Sequence, residues 1–138
     1  MSTLLEKITE YLVNQDVVQG SGIDIFRDFL PDSPSKVIVL HEYGSPRGTV
    51  GSEALIRRIQ IEVRTSAEDP MWGRDKIWEL FRILAPIEGI IDGREENPST
   101  DLWMVVLPLQ SPYKVRVDDS NRWMFSFNIN TITTREFE

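Results

Sequence analysis

The segment from Leu55 to Thr65 alternates apolar and polar side chains, and no other part of the sequence constrains the fold as strongly. Its positions 59, 61 and 63 are isoleucine, isoleucine and valine. The intervening positions are charged or polar, namely Arg58, Gln60, Glu62 and Arg64. Because successive side chains of a strand point to opposite faces of a sheet, the pattern predicts a β-strand. One face is expected in a core, and the other in water or at an interface.

Two amphipathic segments predict α-helices. Apolar residues recur at helical spacing over Ser2–Gln15. Within it, Thr3 followed by Glu6 has the form of a capping box, in which two side chains satisfy free backbone N–H groups. The second helix begins at Asp69-Pro70, with the aspartate as cap and the proline at the first helical position. Pro86 ends this second helix.

Further strands are predicted on both sides of the second helix. The run Val37–Leu40 is continuously apolar, which is typical of a strand covered on both faces, and it predicts a strand over Lys36–Tyr43. A short strand or extended arm is predicted before it, over Ile23–Leu30. Two or three strands are predicted to finish the chain, over Leu102–Leu109, Tyr113–Val117 and Arg122–Thr133. A hairpin turn is predicted at Asp118–Asn121, and loops at Gly44–Ser52 and Gly89–Thr100.

The order of these elements is helix, strands, helix, strands. This order predicts an α+β fold, in which two helices pack on one face of a mostly antiparallel β-sheet. A length of 138 residues is typical of one domain. We therefore expect residues 1–138 to form a single domain.

The composition excludes several classes of function. The chain has no cysteine, which rules out disulfides, zinc–thiolate sites and thiol nucleophiles. A formal net charge of −7 argues against tight binding to a phosphate backbone. No signal-peptide pattern stands at the N-terminus, and no apolar run approaches the roughly 18 residues of a membrane span. We therefore expect a soluble protein that is made in a cytoplasm and has no membrane partner.

No residue pattern predicts a catalytic site. His41 is the only histidine, and no serine or cysteine nucleophile stands beside it in a recognisable motif. The glycines of the 44–52 loop match neither the P-loop nor the dinucleotide fingerprint. The carboxylates around Asp92 and Asp118 lack calcium-loop spacing. We therefore expect no enzyme activity, no cofactor and no metal. A small enzyme that uses His41 with a carboxylate stays an alternative.

Aromatic residues alternate along the last predicted strand. Trp123, Phe125 and Phe127 fall on one side of it. Such a row can stack nucleic-acid bases, but binding to nucleic acid also needs interleaved basic residues, and this row lacks them. The row is therefore interpreted as the core face of the strand.

Positive charge gathers on the alternating strand Leu55–Thr65 and in the loop before it. Opposite-charge patches fix the register and orientation of subunit contacts, so these arginines are predicted to meet acidic residues of a neighbouring copy. An ordinary solvated strand face is the alternative. The residues predicted for the interface are Arg47, Arg57, Arg58, Arg64, Asp92, Glu95 and Asp119.

Several segments, taken in order, resemble a known family. They are the opening Leu4–Leu12, the segment Ile25–Asp32, the strand Val37–Leu40, the turn Tyr43–Pro46, and Ile59–Arg64 leading into the helix through Ile77–Leu80. In this order they resemble the bacteriophage minor capsid and tail-terminator proteins, also called tail completion or tail-to-head joining proteins. The likeness extends to about Leu84 and, more loosely, over the closing strands.

The resemblance implies a structural virion protein that assembles into a ring, commonly hexameric, on the last ring of the tail tube. Such a ring ends tube polymerisation and joins tail to head, while DNA passes through its lumen without specific binding. The implied partners are further copies of the chain, the tail-tube protein and a head-completion or connector protein. No cofactor or turnover is implied. The implied location is the head–tail junction of the virion, after assembly in the bacterial host cytoplasm.

Two other functions without catalysis stay open. The first is a head-completion or connector-stopper protein of the same apparatus. The second is a small non-enzymatic binding domain. Tube-polymerisation assays separate the first from a terminator, because only a terminator is expected to halt tube growth. A monomer with a deep apolar pocket would favour the second.

Overall fold

Two helices and seven strands make up the computed structural model, which describes residues 4–43, 55–85, 88–92 and 102–133. In chain order they are α1 (Leu4–Asn14), β1 (Ile25–Arg27), β2 (Val37–Tyr43), β3 (Leu55–Arg64), α2 (Pro70–Leu84), β4 (Glu88–Asp92), β5 (Leu102–Pro108), β6 (Tyr113–Val117) and β7 (Trp123–Thr133).

β3 and β7 form the centre of one seven-stranded sheet. They pair antiparallel along the whole of β3, from Leu55 opposite Thr133 to Arg64 opposite Met124. Beyond β3 lie β2 and then β1, whereas beyond β7 lie β5 and then β4. β6 also pairs with β7, over Trp123–Ser126, while β5 pairs with β7 over Ile129–Thr133. β1 is parallel to β2, and the other pairings are antiparallel.

Both helices pack on one face of this sheet, which we call the helix face. Each helix buries an apolar stripe at helical spacing, as an amphipathic helix does, with Leu4, Ile8 and Leu12 in α1 and Ile77, Leu80 and Leu84 in α2. Alternate residues of the central strands complete the same buried cluster: Ile38, Leu40, Ile59, Ile61, Val63, Phe125, Phe127 and Ile129. The prediction of an α+β fold with two helices on one face of a mostly antiparallel sheet is confirmed.

The opposite side of the sheet, which we call the second face, is also buried at one end. Val37 and Val39 of β2 have no exposed surface, and Met124 and Ser126 of β7 are buried beside them. The run Val37–Leu40 is therefore covered on both faces, as its continuously apolar sequence predicts.

The predicted hairpin at Asp118–Asn121 is confirmed. The N–H of Asp118 donates to the carbonyl oxygen of Arg122, and the N–H of Asn121 donates to that of Asp118, both over 3.0 Å. Asn121 has a φ of 61°, a left-handed conformation that asparagine tolerates better than most residues. The sequence of this turn therefore suits the geometry that joins β6 to β7.

The predicted loop Gly89–Thr100 is wrong at its start, because Glu88–Asp92 forms β4 and pairs with β5. Its two isoleucines are too few to give a strand pattern, and the pairing with β5 is a tertiary effect that local sequence does not show. Residues 93–100 lie outside the described part of the chain. So do Thr3 of the predicted capping box and the Gly44–Ser52 loop.

Asp69 occupies the predicted cap position of α2 but does not cap the helix with its side chain. Its Oδ2 instead lies 2.8 Å from Nζ of Lys36, the residue before β2. The hydrogen bond from Lys36 is the largest effect on the carboxyl group and lowers the pKa of Asp69. Pro70 does begin the helix as predicted, so the proline and not the aspartate side chain favours the helix start.

α2 approaches the sheet most closely at Gly73, which is buried. A Cβ atom placed there would lie 2.8 Å from Cβ of Thr65 and 3.1 Å from Cε2 of Phe125. Thr65 follows β3 directly and has no exposed surface, so its Cβ cannot move aside as the tip of a long side chain would. The glycine therefore sets the distance between α2 and the centre of the sheet.

We expect Gly73→Ala to lower the free energy of unfolding by about 1 to 2 kcal/mol. The overpacking penalty of roughly 1 to 3 kcal/mol outweighs the gain of up to about 1 kcal/mol in helix propensity. Urea denaturation measures the change, and Asp75→Ala, at an exposed position of the same helix, serves as the control and is expected within about 0.5 kcal/mol of the parent. A Gly73→Ala variant more stable than the parent would show that α2 has room to move outward.

Candidate functional site

His41, the candidate general base, lies on the second face. Its Nε2 is 3.8 Å from Oε1 of Glu62 on the neighbouring strand. Glu42, its neighbour in sequence, accepts instead from Arg57, whose Nε is 3.4 Å from Glu42 Oε1. Within the described residues, no group of three or more histidine and carboxylate side chains could hold a metal ion. This part of the sheet is therefore a set of cross-strand polar pairs.

The structure describes three of the four arginines predicted for an interface, and it separates these three. Arg57 points to the helix face beside Glu42, whereas Arg58 points to the second face opposite Asn130. Arg64 lies at the other end of β3, roughly 20 Å from Arg58 at the ordinary rise of a strand. Arg47 lies outside the described residues. No single basic patch is formed by the arginines of β3.

Arg64 is only 2% exposed, and it binds the chain's own backbone. Its guanidinium donates to the carbonyl oxygens of Pro34 at 2.7 Å, Ser35 at 3.0 Å and Asp32 at 3.2 Å. Burial, followed by the nearby charge of Arg122, lowers the pKa of Arg64. The expectation that this side of β3 is in water or at an interface is therefore wrong at Arg64. That side chain fixes the segment 32–35 onto the sheet.

Arg122 extends the same network to the hairpin between β6 and β7. It donates from Nε to Oδ2 of Asp118 over 2.8 Å, and from its terminal nitrogens to the carbonyl and carboxylate oxygens of Asp32. Partial burial is the largest single effect on the pKa of Asp118, and taken alone it would raise that pKa. The hydrogen bonds from Arg122 and from the N–H of Ser120 together outweigh it, so the pKa of Asp118 lies below its ordinary value.

Of the three predicted acidic partners, only Asp119 has a side chain within the described residues. Asp119 is exposed on the turn after β6, at the Arg64 end of the sheet. Asp92 is the last residue of β4, and its side chain is outside the described part of the chain, as is all of Glu95. Asp119 and Arg58 therefore lie near opposite ends of the sheet, so they can meet only between two copies.

One transverse row of paired residues crosses five strands at the Arg64 end of the sheet. It runs through Ile25, Ile38, Val63, Phe125 and Lys114. The outer members of the row belong to β1 and to β6. These two strands are therefore the opposite edges of the sheet at this end.

The edge formed by β6, which we call the basic edge, is exposed along all five residues. Its Tyr113, Val115 and Val117 are large apolar residues that remain about two-fifths exposed. Between them, Lys114 lies 3.8 Å from the centre of the Trp123 ring, and the Nε of Arg116 donates to the sulfur of Met124. The basic edge thus combines two cations with an exposed apolar surface.

The edge formed by β1 and its flanking residues 23–29, which we call the acidic edge, combines the opposite charge with apolar surface. Ile23 and Phe29 are 57% and 61% exposed. The carboxylate of Asp24 accepts from the N–H groups of Gln19 and Gly20, and that of Asp28 accepts from the N–H of Glu42. Arg27 lies near Glu6, with 3.6 Å between their charged groups.

The sequence analysis did not find these edges. The alternation of Tyr113–Val117 with lysine and arginine indicates a half-exposed strand. Which strands are outermost depends on long-range pairing, and this cannot be read from one segment.

The family described as Bacteriophage tail terminator protein matches residues 11–135, nearly the whole chain. The chain belongs to this family. Tail terminators are structural proteins of phage tails. A comparison with curated proteins finds no significant match to this tail terminator. Neither of its helices, within the described ranges, has the length and apolar character needed to cross a membrane.

We expect Arg64→Met to lower the free energy of unfolding by about 2 to 4 kcal/mol, because it removes three charge-assisted hydrogen bonds that hold the segment 32–35 on the sheet. Methionine keeps most of the side-chain volume, so lost packing contributes little. Thermal and urea unfolding measure the change, and Arg58→Met is the matched control on the same strand. Equal stability of the two variants would contradict the structural role of Arg64.

We expect Asp118→Asn to make stability less dependent on pH under acidic conditions. Because the folded-state pKa of Asp118 is lowered, its contribution is fully present above the unfolded-state value of about 4 and is lost as pH falls through the folded value. Urea midpoints at about pH 7 and about pH 2.5 measure the effect, which should be smaller in the variant than in the parent. Asp119→Asn on the same turn controls for the loss of one charge. An unchanged pH dependence in Asp118→Asn would refute this assignment.

Proposed function

We propose that this tail terminator caps the tail tube of a tailed bacteriophage, ends its polymerisation and joins the tail to the head. The observation that carries the proposal is the family match over residues 11–135. A protein with this role works by binding surfaces alone. It must fit the last ring of the tube on one side and offer the head a different surface on the other.

The proposed working form is a ring of identical copies, a hexamer if it follows the arrangement common among such proteins. A contact between two different surfaces of the same chain generates a closed ring when repeating the rotation between copies returns to the first copy. Each copy then binds one position of the terminal tube ring. The tube cannot grow further, because its exposed subunits are covered.

The charge of the chain suits a passage for DNA. Each copy carries a formal net charge of −7, and a ring concentrates that charge around its lumen. A field of this sign repels a phosphate backbone, so the genome would pass without specific binding. The proposed partners are therefore the tail-tube protein and a head-completion or connector protein, with DNA only in transit.

The proposed location is the head–tail junction of the virion, where the protein acts as a minor capsid protein. Assembly takes place in the host cytoplasm, and no catalytic turnover or cofactor is required. Capping, ring formation and joining all rest on contacts between folded proteins.

Two residues predicted for the subunit contact, Asp119 and Arg58, remain available to neighbouring proteins in the proposal. Asp119 is exposed, and Arg58 is half-buried beside Asn130 on the second face. Within the described residues, Oδ1 of Asn130 is buried without a hydrogen-bond partner, and such groups usually acquire one. A neighbouring protein that supplies a donor there would satisfy it. Arg57 already contacts Glu42, and Arg64 is committed to the segment 32–35.

A tube-growth assay tests the proposal. Purified tail-tube subunits of the same phage are polymerised with increasing amounts of this protein, and tube lengths are measured by negative-stain electron microscopy. We expect the protein to shorten the tubes when it is present in far smaller amounts than the tube subunit, because one ring is sufficient for each tube end. Light scattering of the same mixtures gives the mass of the capping assembly.

The controls separate the alternatives. Arg64→Met, which is expected to be less stable, should lose capping in proportion to its unfolded fraction. Tubes of unchanged length, together with binding to an isolated head connector, would indicate a connector-stopper protein instead. A strict monomer that binds neither tube nor connector would contradict every assembly role proposed for the chain.

A further inference from the structure

We infer that the ring closes by contact between the acidic edge of one copy and the basic edge of the next. This inference rests on the proposed ring and adds the surfaces that build it. The two edges belong to the same sheet but lie at opposite ends of one transverse row. A contact between them is therefore head-to-tail, and it leaves each copy with one free edge for the following neighbour.

The strand directions suit such a contact. β1 runs parallel to β2, whereas β2, β3, β7 and β6 alternate in direction across the sheet. β6 of one copy therefore lies antiparallel to β1 of a second copy placed beside it in the same orientation. A head-to-tail contact of this kind forms a ring when the rotation between neighbouring copies brings the last copy back to the first.

The two edges carry opposite charge at the same end of the sheet. Arg116 lies opposite Met124, and that row continues through Arg64 to Val37 of β2. Asp24 lies in the turn directly before β1, whose first residue Ile25 pairs with Ile38. A basic residue on one edge and an acidic residue on the other thus lie at the same end of the sheet.

Exposed apolar residues lie beside these charges on both edges. Val117 lies opposite Trp123, one position beyond Arg116, and Ile23 directly precedes Asp24 in the turn before β1. Val117 is 41% exposed and Ile23 is 57% exposed. Their contact would remove apolar surface from water, while the charged residues fix the orientation of the two copies.

Two features of the edges argue against other arrangements. If two basic edges paired antiparallel about Val115, Lys114 would face Arg116 of the second copy, and like charges directly opposite one another are destabilising. On the acidic edge, the N–H of Gly22 already donates to the carbonyl oxygen of Ile25 over 2.9 Å. The contact is therefore made by side chains more than by a new backbone ladder.

Cross-linking tests the contact directly, because the parent chain contains no cysteine. We expect the double variant Ile23→Cys, Val117→Cys to form a ladder of covalent oligomers with a short bismaleimide under the assembly conditions of the tube assay. Each single-cysteine variant should give at most a dimer. The matched control Arg82→Cys, Val117→Cys carries an exposed cysteine in the last turn of α2 and should give no ladder.

Charge reversal supplies an independent readout. We expect Lys114→Glu, Arg116→Glu to raise the concentration needed for half-maximal capping by at least about tenfold, because it places like charges opposite one another. The control Arg82→Glu, at an exposed position in the last turn of α2, changes the net charge as much as either single reversal of Lys114 or Arg116 and should leave that concentration unchanged. Circular dichroism and thermal unfolding show whether each variant is folded.

The outcomes distinguish this inference from the proposed function. If the parent caps tubes as a ring but the edge cysteines give no ladder, or the edge charge reversal acts no more strongly than its control, the inference is wrong and the capping function stands. If the parent neither forms rings nor shortens tubes, the proposed function falls together with the inference. A ladder in the edge variant alone supports both.

Discussion

The antiparallel ladder between β3 and β7 is the constraint on which the rest of the structure depends. It pairs ten residues of each strand, and both helices bury their apolar stripes against its alternate side chains. β2 and β1 extend it on one side. On the other side β7 is long enough to pair with β5 at one end and with β6 at the other. This division of β7 makes β1 and β6 the two edges at the Arg64 end, so the ladder also positions the two edges that are proposed to join neighbouring copies.

A second constraint acts at the same end of the sheet. Here arginine side chains, and not apolar ones, hold the segment 32–35 on the second face. The planar, multi-donor guanidinium of Arg64 donates to three carbonyl groups of the segment 32–35 at once. Arg122 joins the hairpin turn to the same segment through Asp32 and Asp118. Because the hairpin turn continues directly from β6, this network helps to fix the position of the basic edge. The same few charged side chains therefore contribute to the stability of the fold and to the position of the proposed assembly surface.

Local patterns in the sequence predict much of this fold. Helical spacing identifies α1 and α2, alternation identifies β3 and β7, and a continuous apolar run identifies a β2 that is buried on both faces. The prediction is wrong where tertiary contacts override local sequence. Two isoleucines beside a glycine give no strand pattern, yet β4 forms by pairing with β5. Alternation places Arg64 on a polar face but cannot show that the segment 32–35 covers it. The two edges were missed because strand order is a long-range property.

The family match identifies the chain as a structural tail protein. The proposed contact between the acidic and basic edges explains how identical folded copies can form a ring. Electron cryomicroscopy of tail tubes grown with this protein is the most direct test of that account. The account predicts a closed ring of identical copies on one end of each tube, with the acidic edge of each copy against the basic edge of the next. Tube ends that carry no added density, or isolated copies without mutual contact, would contradict it.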